Sequence, residues 1–88
     1  MKTIIDLYFK TSEGKVVGRL RKTFKTDFIP ILNAFIEDGV WAEPKKIIEI
    51  TINPTEGYYF IKVDEVILES VESFNEIIKS YEKHNWEK

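Results

Sequence analysis

The sequence predicts an α+β fold in the order ββαββα, a four-stranded antiparallel sheet carrying two helices on one face. Three observations predict it. Residues 47–63, IIEITINPTEGYYFIKV, read as a complete β-hairpin, residues 4–20 echo them, and each hairpin is followed by a cap residue and apolar residues at helical spacing. The whole chain of 88 residues is expected to form one domain, with 1–39 as a first ββα unit, 40–46 as a connector and 47–88 as a second unit.

In the second hairpin, Pro54, Thr55, Glu56 and Gly57 supply turn chemistry: proline sets φ early in the turn and glycine takes the left-handed position. The register that follows pairs Asn53 with Tyr58. Alternation then puts Ile52 with Tyr59, Ile50 with Ile61 and Ile48 with Val63 on the inner face, and Thr51 with Phe60 and Glu49 with Lys62 on the outer face.

Sliding the chain 43 positions lays Ile4, Ile5, Glu13 and Gly14 on Ile47, Ile48, Glu56 and Gly57. The equivalent first hairpin, strands 3–10 and 15–24, pairs Phe9 with Val16, Leu7 with Gly18 and Ile5 with Leu20 inside, and Asp6 with Arg19 outside. Gly18 inside a strand implies that another backbone or a large side chain approaches closely. The echo continues past the hairpins, where Asp27 falls on Ser70 as a helix N-cap and Phe28, Ile31 and Phe35 fall on Val71, Phe74 and Ile78. A first helix is therefore expected from Asp27 to Gly39, with Pro30 in its first turn, and a second from Val71 to about His84. This arrangement allows a pseudo-two-fold repeat, with the strand order left open. Phe9, Phe35, Ile48, Ile50, Ile52, Phe74 and Ile78 are the expected core.

Composition narrows the function classes. The chain is 43% hydrophobic and 32% charged, as in ordinary folded proteins, and it has no cysteine, so disulfides, thiolate metal sites and thiol nucleophiles are excluded. The N-terminal stretch has too short an apolar run and too early an acid for a signal peptide, and no stretch reaches membrane-spanning length, so a cytoplasmic protein without a membrane partner is expected. The one histidine, His84, sits near the chain end, Ser12 belongs to a turn and Ser70 to a cap, so no catalytic triad assembles and an enzyme is not expected. Glu69, Glu72 and Glu76 share a helical face but suit the positive end of the helix dipole. No phosphate loop, metal spacing or other cofactor motif is present, and no small-molecule ligand is indicated.

Two surfaces remain. A partly apolar outer sheet face with Ile4, Tyr8, Val17, Ile47, Tyr58 and Phe60 suits a protein partner or a homodimer, and Trp41 in the connector is expected to close the edge of the core, with a binding contact as its alternative role. The alternative is nucleic acid. Net charge is −2, yet residues 1–26 hold seven Lys or Arg against two acids, and Lys10, Lys15, Arg19, Arg21, Lys22 and Lys25 crowd the first hairpin beside those aromatics. The first reading, a non-catalytic interaction module, is preferred because Asp6 and Glu49 are expected to neutralise two of the cations.

Overall fold

Thr3, Ile5, Leu7 and Phe9 alternate along β1 (Lys2–Thr11), and all four are buried, so this strand is driven to the centre of the structure. The computed structural model describes all 88 residues. β2 (Val16–Lys25) pairs antiparallel along one side of β1. The other side of β1 is shared: β5 (Tyr58–Val63) runs parallel to Lys2–Asp6, and β6 (Val66–Leu68) runs parallel to Phe9–Thr11. Beyond β5 lies β4 (Lys45–Asn53), with the two-residue β3 (Phe35–Ile36) on its outer side. One helix, α1 (Val71–Glu82), follows β6.

The structure is therefore mostly sheet, a curled six-stranded mixed sheet with a single helix. This corrects the expected ββαββα fold with its four-stranded antiparallel sheet, two helices and repeated ββα units. Two-fold symmetry would put the first strands, or the second strands, of the two hairpins side by side at the centre; the order β2-β1-β5-β4-β3 instead sets β1, a first strand, against β5, a second, and these two most buried strands run parallel.

The missing helix explains much of the difference. Ile29 precedes proline, which disfavours the α conformation at Ile29 itself. Asn33 then adopts φ 70°, a left-handed turn that no helix interior accepts, and Ala34 N–H closes that turn on Ile31 C=O at 3.1 Å. From there the backbone is captured by β4: Asn33 N–H donates to Ile47 C=O at 2.9 Å, and Ile47 N–H to Ala34 C=O at 2.8 Å. The apolar residues at 28, 31, 32 and 35 keep helical spacing, so what decides against the helix is this backbone geometry and not the side-chain pattern.

Registers differ in instructive ways. Asn53 to Ile50 pair with Tyr58 to Ile61 as expected, and Glu49 opposes Lys62. A bulge between Ile47 and Glu49 then puts Ile47 opposite Val63 and turns Ile48 outward, the reverse of the expected facing. In the first hairpin the turn sets Lys10 opposite Val16, one residue beyond the expected register, and a bulge beside Phe9 adds one more, so Phe9 opposes Gly18, Leu7 opposes Leu20 and Asp6 opposes Arg21. Shifting by two preserves the faces.

Of the expected core residues, Phe9, Phe74 and Ile78 are buried, Ile50 is half-buried, and Ile48, Ile52 and Phe35 are exposed. Their places are taken by Ile5, Leu7, Leu20, Ile47, Ile61, Val63, Tyr81 and Trp86. Each such side chain contributes roughly 1.5–3 kcal/mol on full burial. Ser70 caps α1 by accepting the Ser73 N–H at 3.3 Å, and Phe74 fills the space that Gly18 leaves in β2. The chain end folds back: Trp86 is buried, and Glu87 exchanges two 2.7 Å backbone hydrogen bonds with Arg21, extending the β2 edge by one bridge. No helix is long and apolar enough to cross a membrane.

Candidate interaction surface

The outer sheet face forms ordered rows across the strands. Asn53, Tyr58, Lys2 and Lys25 make one row, Thr51, Phe60, Ile4 and Thr23 the next, and Glu49, Lys62, Asp6 and Arg21 the third, followed by Tyr8 with Arg19. Cations lie over the aromatic rings: Arg21 over Phe60 at 5.1 Å, Lys62 over Tyr8 at 5.3 Å and Lys2 over Tyr58 at 6.0 Å. Beneath them Asp6 is almost wholly buried, accepting from Arg21 Nε at 3.1 Å with Arg19 Nε at 3.7 Å. Tyr8, Tyr58 and Phe60 are thus half-covered by the protein's own charges.

The remaining sequence candidates scatter. Val17, turned by the bulge, packs against the core, as does Ile47. Lys10 pairs with Glu65 at 2.8 Å, whereas Lys15 and Lys25 are exposed. Lys22 points to the inner face, where its Nζ meets Asp38 Oδ2 at 2.5 Å.

Asp38 is the hub of that inner corner. Its Oδ1 accepts from Val40 N–H at 3.0 Å and from Trp86 Nε1 at 3.3 Å, so one carboxylate joins β2, the loop before β4 and the returning chain end. Burial alone would raise its pKa, but the bonds from Lys22, Val40 and Trp86, with the Lys22 charge, outweigh it and hold the carboxyl below its ordinary value. Trp41 stacks at a tilt on Trp86, with centroids 5.6 Å apart, and closes the core edge. Its indole N–H lies near the Tyr81 oxygen without full hydrogen-bond geometry and is left buried without a proper partner. Burial pushes the Tyr81 phenol up, Trp41 opposes that shift, and Asp38 adds to it. Lys45, above the Trp41 ring at 5.7 Å, is lowered by burial against the opposing pull of Asp64. This corner ties β2, the loop before β4 and the chain end together as a structural brace.

The free apolar surface lies elsewhere, on the long irregular segment 26–44. Phe28, Ile29, Ile31, Leu32 and Phe35 are all exposed, Ile29 by 72% and Ile31 by 67%. Of these, Phe28, Ile29, Ile31 and Phe35 line, with Pro30, Pro44 and Ile47, a groove of about 570 Å³ beside β3. Segments this long with so little regular structure commonly serve binding. Immediately next to it, β4 pairs with β3 only at Lys45 and Lys46, with Ile47 bonded to Asn33 and Ala34, so the edge from Ile48 to Asn53 has no neighbouring strand. Ile48 and Ile52 are exposed on that strand.

Sequence reasoning missed the 28–35 surface by winding it into a helix. Ile29-Pro30 was the available signal. His84 is exposed, with Nδ1 against Ser80 C=O at 3.0 Å, and no three His, Asp or Glu side chains converge. Comparisons with protein-family models, curated proteins and solved structures gave no match to the chain.

Proposed function

We propose that the chain is a small non-catalytic protein-interaction module that docks through the 28–35 groove and the adjoining open edge of β4. The observation that carries this reading is the exposure of five large apolar side chains on one segment, a cost in water that a protein partner would relieve. The proposed surface is the groove and edge in place of the outer sheet face, because the cations over Tyr8, Tyr58 and Phe60 already occupy those rings. The cysteine-free sequence suits a cytoplasmic setting.

The test compares the unaltered chain with Ile31→Ser/Phe35→Ser, two exposed positions whose change leaves the core intact, in sedimentation and in protein capture from host lysate. Association lost in the variant and insensitive to salt supports the reading. Tight oligonucleotide binding that falls steeply with salt and is lost in Lys25→Glu, with no effect of the groove variant, would replace it with nucleic-acid recognition by the outer face.

A further inference from the structure

We propose that the occupant of the open β4 edge is a second copy of this chain, paired antiparallel about a two-fold axis at Thr51; the proposal rests on the interaction reading above and names its partner.

The two long edges of the sheet, along β2 and along β4, are treated differently. β2 carries Arg19, Arg21, Lys22 and Lys25 along its length and is bridged by Glu87, the usual means of blocking strand addition. The edge of β4 from Ile48 to Asn53 carries a single charge, Glu49, which is paired with Lys62 at 3.5 Å on the β5 side. From Glu49 to Asn53 it has neither a cation nor a proline to oppose another strand.

The strand also dictates the register. A two-fold axis perpendicular to the sheet brings together residues on the same face. The bulge at Ile48 excludes that residue from regular pairing, leaving Glu49 to Asn53 as the regular stretch, with Thr51 at its middle. Centring there sets Thr51 against Thr51 of the second copy, Ile50 against Ile52 twice, and Glu49 against Asn53 twice. Centring on Glu49 would oppose two carboxylates, whereas this register opposes no like charges. It covers Ile52, 58% exposed in the single chain, and its extension carries the Glu56 turn of each copy towards Lys46 of the other, next to the exposed Phe35. Two sheets become one.

The absence of cysteine makes the test direct. Residues opposite each other in an antiparallel pair have Cα atoms roughly 4.5–5.5 Å apart, within disulfide range. In a glutathione redox buffer at micromolar chain concentration, Thr51→Cys is expected to form a covalent dimer about a hundredfold faster than Thr23→Cys, an exposed control on β2. Sedimentation equilibrium of the unaltered chain should show a concentration-dependent dimer, and Thr51→Lys should abolish it while circular dichroism stays unchanged. A monomer at all concentrations overturns the proposal, as does a dimer that Thr51→Lys leaves intact or equal cross-linking of the two cysteine variants. A monomeric chain that still loses a captured protein in Ile31→Ser/Phe35→Ser overturns the second copy alone and leaves protein docking in place.

Discussion

Gly18→Ala tests how closely α1 is keyed into the sheet. A Cβ built at Gly18 would lie 2.5 and 2.6 Å from Phe74 Cε1 and Cε2 and closer still to Cζ. Carbon atoms rest at about 3.5–4.0 Å, so the ring must retreat by about 1 Å or more. It has little room, because Phe74 is buried and meets Phe9 edge-on at 5.0 Å. Overpacking of this kind costs about 1–3 kcal/mol, and loosening the aromatic pair adds a fraction of its 0.5–1.5 kcal/mol or so. The reduced freedom of the unfolded alanine chain returns only about 0.4–1 kcal/mol. The net expectation is destabilisation by about 1–3 kcal/mol, a fall in melting temperature of roughly 5–20 °C for a domain this small. Thermal and urea unfolding measure it. Phe74→Leu should relieve the clash, so the double variant should be more stable than additivity requires, by about 1 kcal/mol. A Gly18→Ala protein as stable as the original, or strict additivity, would refute the keyed contact.

Asp38→Asn should destabilise by about 1–3 kcal/mol, because the Lys22 charge loses its buried partner. Since the folded-state pKa of Asp38 is lowered, the native carboxylate contributes fully above the ordinary carboxylate pKa of about 4, and that contribution is lost as pH falls through the lower folded value. Urea midpoints from pH 7 down to pH 2 should therefore fall more for the native chain than for Asp38→Asn; parallel curves would contradict the hub. Asp6→Asn should cost about 1–3 kcal/mol and Glu49→Gln only about 0–1 kcal/mol, since the Asp6 side chain is 2% exposed and that of Glu49 is 62% exposed; equal chemical-denaturation midpoints would show that burial does not separate them. Ile61→Ala, at the centre of the core, should cost about 2–5 kcal/mol, and Ile52→Ala less than about 1 kcal/mol in dilute solution. Both lie on the inner face, so the reverse order would mean that the hairpin end of that face, and not its middle, is covered by the core.

By itself the sequence determined what short-range chemistry controls. Pro54 to Gly57, with isoleucines alternating before and aromatics after, suffices for the second hairpin and its pairing from Asn53 to Ile50, since turn and register are neighbours in the chain. Ser70 and the spacing of Phe74, Ile78 and Tyr81 likewise suffice for α1. Gly18 signalled a close approach, although not by which ring. Only the tertiary structure decided the parallel meeting of β1 with β5, because two half-buried hairpins can join by several edges and the choice depends on total burial. The same holds for segment 26–44: its spacing resembles a helix, but Pro30 and the left-handed Asn33 oppose one locally, and the hydrogen bonds to Ile47 supply an alternative that no local pattern displays. The candidate surface inherits that difference. Its apolar residues are plain in the sequence, but their exposure follows from the chain being spent on reaching the far edge of the sheet, where β3 covers only the first residues of β4 and leaves the rest open.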